Sequence, residues 1–239
     1  MSATVNDRII VALDFPTRKG ALEMVEALEG ASFFKVGAQL FTEAGPGLIG
    51  DLIKKGKKVF LDLKFHDIPN TVAGAVRAAA QRGVEMLTVH ASGGEAMLRA
   101  AREAAGDDGP TVVAVTLLTS LASEDVEHVF GRTPASLVDE VVRLTGLAVS
   151  SGLSGVVASP AEVKPLKRSY GDVLQVVTPG IRLAGDDPAD QSRFATPERA
   201  ARAGADYLVV GRSITAARDP AAAFAEVVQA YESGRGPEA

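Results

Sequence analysis

Eight times along the chain, a short run of apolar and often β-branched residues is followed by a turn and then an alanine-rich amphipathic stretch. The runs are Arg8–Leu13, Phe33–Gly37, Lys58–Leu63, Met86–His90, Thr111–Thr116, Gly155–Ala158, Val173–Val177 and Tyr207–Val210. Helix patterns follow them, for example over Thr17–Leu28, Pro69–Arg82, Pro134–Ser151 and Pro197–Ala203, and several open on the Ser, Thr or Pro that helix starts favour. Most of the runs are apolar at consecutive positions rather than alternate ones, which suits strands covered on both faces. Eight such units in 239 residues predict an α/β fold, a single (β/α)₈ barrel. An open doubly wound sheet is the alternative. No stretch rich in Pro, Gly or Ser divides the chain, so one domain over residues 1–239 is expected, with Ser233–Ala239 as a frayed tail.

Composition narrows the chemistry. There is no cysteine, which removes thiolate nucleophiles, disulfides and zinc–thiolate sites. The net charge is −5 with no basic tract, which argues against nucleic acid as a partner. The first residues lack the basic start and apolar core of a secretion signal, and no apolar run is long enough to span a bilayer. No membrane association and a cytoplasmic location are therefore expected. A phosphorylated substrate would need a local positive site, because the overall field opposes it.

Polar residues gather where the strand runs end: Asp14, Lys35, Asp62 with Lys64, His90, Thr119, Arg182 and Arg212. In a barrel these ends form the active face. The most informative segment is Val59–Thr71, VFLDLKFHDIPNT. On a strand, alternate side chains share a face, so Asp62 and Lys64 are expected to point together, away from Leu61, Leu63 and Phe65. Opposite charges at a barrel mouth are costly without partners. A buried ion pair that only fixes the strand remains the alternative at this point. Asp67 lies just past the strand, and Lys35 ends a neighbouring one.

These residues carry a resemblance. Asp62-Leu-Lys64-Phe-His-Asp67 reads D-x-K-x-x-D and resembles the signature of the orotidine 5′-phosphate decarboxylase family. The segments IIVALD, FFKVG, DIPNT, LTVHASGG, VTLLTSL, VVTPGIR, DQSRFATP and LVVGRSIT follow in that family's order, so the likeness runs from about Asp7 to Arg218. It implies a carboxy-lyase that converts orotidine 5′-phosphate to UMP and CO₂ without cofactor or metal. Lys64 is implied as proton donor to C6 of the pyrimidine, within a catalytic array of Lys35, Asp62, Lys64 and Asp67. Asp14 and Lys35 are implied as ribose contacts. Thr119 and Ser120 match the region that reads the pyrimidine edge. Gln191, Gly211 and Arg212 match the phosphate site, with Arg182 on the same side. Asp67 and Thr71 are implied to reach into a partner's site, which makes the expected assembly an obligate homodimer.

The chemistry fits these residue types. Loss of CO₂ leaves an electron pair on a ring carbon, and a fixed ammonium beside it can stabilise that charge and then deliver a proton. Val209–Ser213, VVGRS, fits an anion site, with a plain strand-to-helix turn as the alternative. Residues Ile181–Phe194 show no hydrophobic period and read as a lid carrying Gln191, or else as a surface loop. His66 and His90 raise the question of a metal site, but structural hydrogen bonding is the simpler reading, and His128 receives no role. Two competing functions remain open. One is a magnesium-dependent barrel acting on phosphorylated sugars, such as ketogulonate-phosphate decarboxylase or hexulose-phosphate synthase. The other is a nucleotide-binding barrel without catalysis.

Overall fold

The computed structural model describes residues 4–183 and 194–236. Eight strands, β1 (Ile9–Ala12), β2 (Phe33–Gly37), β3 (Lys58–Phe65), β4 (Met86–His90), β5 (Thr111–Val115), β6 (Gly155–Val157), β7 (Gln175–Thr178) and β8 (Tyr207–Val210), form a closed barrel in sequence order. Every pairing is parallel, and Ile10 opposite Val209 closes the ring between β1 and β8. Around it run α1 (Arg18–Ala27), α2 (Ala38–Ala44), α3 (Gly47–Lys54), α4 (Pro69–Ala80), α5 (Glu95–Ala105), α6 (Ser123–Phe130), α7 (Leu137–Ser150), α8 (Pro160–Tyr170), α9 (Pro197–Ala203), α10 (Arg212–Thr215) and α11 (Pro220–Arg235). This is a (β/α)₈ barrel with extra short helices in its connections. Thr17, Ser136, Thr196 and Asp219 cap their helices through side-chain oxygens that accept backbone N–H bonds, which stops each helix from extending into the preceding loop.

Strand alternation divides the apolar residues between two cores. Ile10, Phe33, Phe60, Met86, Val113 and Val177 turn inward and fill the barrel. Their neighbours Ile9, Phe34, Leu61, Leu87, Val112 and Val176 turn outward and pack beneath the helices. Both sets are buried, which is why the strands read as unbroken apolar runs. At the N-terminal end, Tyr207 meets Phe33 edge to face at 6.2 Å and Arg8 lies 5.1 Å above the Tyr207 ring. That end is plugged, so the inward-facing polar groups can meet solvent only at the C-terminal ends of the strands.

Most boundaries shift by a residue or more from the sequence reading, and three of the shifts are informative. β3 continues to Phe65, beyond Leu63. β7 starts at Gln175, because Val173, 76% exposed, lies in a 3₁₀ turn (Gly171–Val173) that leads out of α8. The expected fraying from Ser233 is also corrected: α11 continues to Arg235, and Gly234 is buried against α9. A Cβ at Gly234 would sit 2.3 Å from the Glu198 carbonyl oxygen, so the last turn docks backbone to backbone. Among the described residues, no helix is long and apolar enough to cross a membrane.

Candidate active site

Four of the charged residues singled out in the sequence form one alternating chain at the C-terminal mouth. The Lys35 ammonium lies 3.0 Å from Asp14 Oδ1 and 3.6 Å from Asp62 Oδ2. The Lys64 ammonium lies 2.9 Å from Asp62 Oδ1. β1 leads to Asp14, β2 carries Lys35, and β3 carries both Asp62 and Lys64. Their side chains differ in exposure, at 11% for Lys35, 13% for Asp62 and 36% for Lys64. Lys64 is therefore the more exposed of the two lysines, while Asp14, at 64%, opens the other end of the chain to solvent. Burial works to raise the Asp62 carboxyl, but the charges of Lys35 and Lys64 and hydrogen bonds from Lys64 and Thr88 outweigh it and hold the group below its ordinary value. Asp62 is thus favoured as an anion between two cations.

Simple strand alternation does not produce this geometry. β3 loses register with β4 between Leu61 and Phe65, and Lys64 is the sole non-glycine residue with positive φ, at 52°, among the described residues. Such a backbone is sparsely populated for a lysine and concentrates at functional sites. Thr88, fully buried on β4, holds it in place: its hydroxyl donates to Asp62 Oδ1 at 3.0 Å and accepts from the Lys64 N–H at 2.8 Å. The sequence offered Thr88 as part of a motif but gave no signal for this role, which depends on strand pairing. Gly37 is a second residue the sequence reading missed. It pairs with Asp62, and a Cβ there would come within 3.0 Å of the Lys35 ammonium.

Two adjoining chambers open at this mouth. The smaller, about 140 Å³, has Asp62 and Lys64 on one wall and Phe60, Val115, Leu117 and Thr119 on others. The larger, about 400 Å³, is bounded by Asp14, Gly180, Arg182, Gly211, Arg212 and Thr215. Lys35, Pro179 and Val209 border both. The pair accommodates a ligand whose flat, mostly apolar part lies against Lys64 and whose anionic part meets the arginines. Asp67, Thr71 and Ser120 line neither chamber. All three are exposed, and the Asp67 carboxylate accepts a bond from the Ile68 N–H. Gln191 lies outside the described residues, as does most of the stretch read as a lid. The ends of that stretch are joined by a bridge between Ile181 and Ala195.

The His66 and His90 rings stand 5.4 Å apart. Burial lowers the His90 pKa, and the neighbouring His66 and Lys64 charges lower it further against the pull of Asp62. Among the described residues, no cluster of three or more His, Asp or Glu side chains is arranged to hold a metal ion.

A family model described as orotidine 5′-phosphate decarboxylase / HUMPS family matches residues 7–227. The chain belongs to that family. Among its relatives, an orotidine 5′-phosphate decarboxylase of Sodalis glossinidius is 49% identical over 230 residues, covering 95% of this chain and 90% of its own. That of Nostoc sp. is 45% identical, covering 94% and 97%. Of solved structures, the orotidine 5′-phosphate decarboxylase of Lactobacillus acidophilus superposes with a TM-score of 0.81 at 38% identity, over 93% of this chain and 98% of that one. An uncharacterized conserved protein from Geobacillus kaustophilus gives 0.82 at 35% identity, over 93% and 99%. In this member of the family, the Lys35–Asp62–Lys64 chain is carried on β2 and β3.

Proposed function

We propose that this chain converts orotidine 5′-phosphate to UMP and CO₂, as a carboxy-lyase of pyrimidine biosynthesis, in the cytoplasm. The observation that carries the reading is the Lys35–Asp62–Lys64 chain on one wall of a small apolar chamber that joins an arginine-bordered one. The pyrimidine is assigned to the smaller chamber beside Thr119, the ribose to the junction at Asp14 and Lys35, and the phosphate to Arg182 and Arg212. α10 is a single turn after β8, so its N-terminus contributes little field, and the two guanidiniums supply most of the anion binding.

In the reaction, the bond between C6 and the carboxylate breaks and its electron pair stays on C6. The Lys64 ammonium stabilises that pair and then gives C6 a proton. Asp62, 2.9 Å from the Lys64 ammonium, holds it in place. Asp62 also repels the substrate carboxylate, but two like charges about 4 Å apart at an effective dielectric near 20 interact by only about 4 kcal/mol. Highly proficient enzymes remove about 20 kcal/mol from a barrier. Stabilisation of the transition state by a preorganised ammonium is therefore the larger effect.

The resemblance that implied a homodimer gains support from the rim. Asp67 and Thr71 are exposed there, and Ile68 between them is 67% exposed, an apolar side chain suited to cover by a second copy. In such a dimer, Asp67 and Thr71 complete the partner's site.

The deciding experiment follows the ultraviolet change as orotidine 5′-phosphate becomes UMP, with wild type and Lys64→Ala, each with and without EDTA. Wild-type turnover that survives chelation and disappears in Lys64→Ala is expected. Turnover that EDTA abolishes would point to the magnesium-dependent sugar-phosphate chemistry. Equal rates in wild type and Lys64→Ala would leave only a binding function.

A further inference from the structure

We infer that Thr88 is a positioning residue that fixes the Lys64 ammonium and the Asp62 carboxylate as a unit. This rests on the decarboxylase reading and adds a residue to it. The inference starts from the mismatch between two strands. β3 and β4 pair Leu61 with Leu87 and Phe65 with Val89, so Asp62, Leu63 and Lys64 all lie opposite the single residue Thr88. A bulge of this kind leaves backbone groups without ladder partners and bends the strand. The Lys64 N–H is one such group, and it finds its acceptor in the Thr88 hydroxyl at 2.8 Å.

That hydroxyl has one proton, and the proton is committed. It points to Asp62 Oδ1, 3.0 Å away, the same oxygen that meets the Lys64 ammonium at 2.9 Å. A backbone N–H, a hydroxyl, a carboxylate and an ammonium therefore close a ring in which each bond fixes the next. Thr88 is fully buried, so solvent does not replace either bond when the hydroxyl is removed. The ring also accounts for the positive φ at Lys64, a conformation that persists only where its surroundings hold it. Thr88 borders neither chamber, so it acts through Asp62 and Lys64 rather than on the ligand.

The test compares Thr88→Val, which keeps the shape and removes the hydroxyl, with Thr88→Ser, which keeps the hydroxyl. Thr88→Cys fills similar space with a weak donor and acceptor, and carries the same deletion if the valine variant does not accumulate. Turnover of orotidine 5′-phosphate is measured across pH, with thermal midpoints alongside. Misplacing a reacting group without touching the substrate is expected to lower kcat by on the order of 100-fold while leaving KM nearly unchanged. The acid limb of the kcat profile should move to higher pH, because Asp62 loses a bond that favours its anion. Thr88→Ser should recover most of kcat. A folded Thr88→Val or Thr88→Cys with wild-type kcat and pH profile overturns the inference, as does a folded Thr88→Ser that is as slow as they are. Inactive wild type would instead remove the decarboxylase reading itself.

Discussion

Each charge at the mouth is set by a neighbour too small or too buried to be noticed alone. Gly37 gives Lys35 its room. Gly37→Ala would place a Cβ 3.0 Å from the ammonium and 3.5 Å from Asp14 Oδ1, and the flexible lysine tip gives way before the backbone does. The fold should survive with its thermal midpoint little changed, while steady-state kinetics show kcat/KM lower by about tenfold from a displaced charge. Arg212 stands at the far end of the cavity from Lys64, so Arg212→Ala should act mainly on binding. Losing a charge-assisted hydrogen bond to phosphate is expected to raise KM by about 10- to 100-fold, with kcat/KM falling in step. His90 makes stability depend on pH. Its pKa in the fold lies below the ordinary 6.5, so the unfolded chain binds the proton more readily and the neutral ring's contribution is present above that value. The contribution is lost as pH falls from 6.5 through the depressed value. Thermal midpoints should decline over that window, and His90→Gln should flatten the decline.

Among the elements, β3 and α11 show what sequence pattern can and cannot convey. The apolar runs marked the strands because burial on two faces leaves a mark at every position, and β2, β4 and β8 begin and end where the pattern did. Lys35, Asp62 and Lys64 were legible as a charged group because strand ends in a barrel converge. The bulge that brings Lys64 onto Asp62 was not legible, since register depends on β4 rather than on β3. The role of Thr88 was hidden for the same reason. Ser233 and the residues after it read as a frayed tail because a chain end offers no pattern of its own, yet Gly234 packs closely on α9. Gly234→Ala tests this. Alanine gains up to about 1 kcal/mol of helix propensity. Against that, a Cβ 2.3 Å from the Glu198 carbonyl oxygen forces α9 and α11 apart, and overpacking costs about 1–3 kcal/mol. Urea denaturation should show net destabilisation, with kcat intact.

For the molecule as a whole, the plugged N-terminal end and the open C-terminal mouth put all of the polar machinery on one face. Asp67, Thr71 and Ile68 are exposed and line neither chamber of their own chain, and the proposed homodimer assigns Asp67 and Thr71 to a second copy. Lys64→Ala and Asp67→Ala protomers should each be inactive alone. Mixed and allowed to exchange subunits, they should regain about a quarter of wild-type sites, because half of the dimers are mixed and each mixed dimer holds one intact pair. Recovery of nothing, in a mixture shown by mass spectrometry to exchange, would break the shared-site reading. The pairing of Ile181 with Ala195 has a consequence of another kind. The two ends of the intervening run are already held together by backbone bonds, so the barrel is indifferent to how much chain passes between them. Doubling that span costs only about 0.6 kcal/mol in closure entropy. Evolution or a protein engineer can therefore change the length of chain between these two residues while the scaffold that joins them stays as it is.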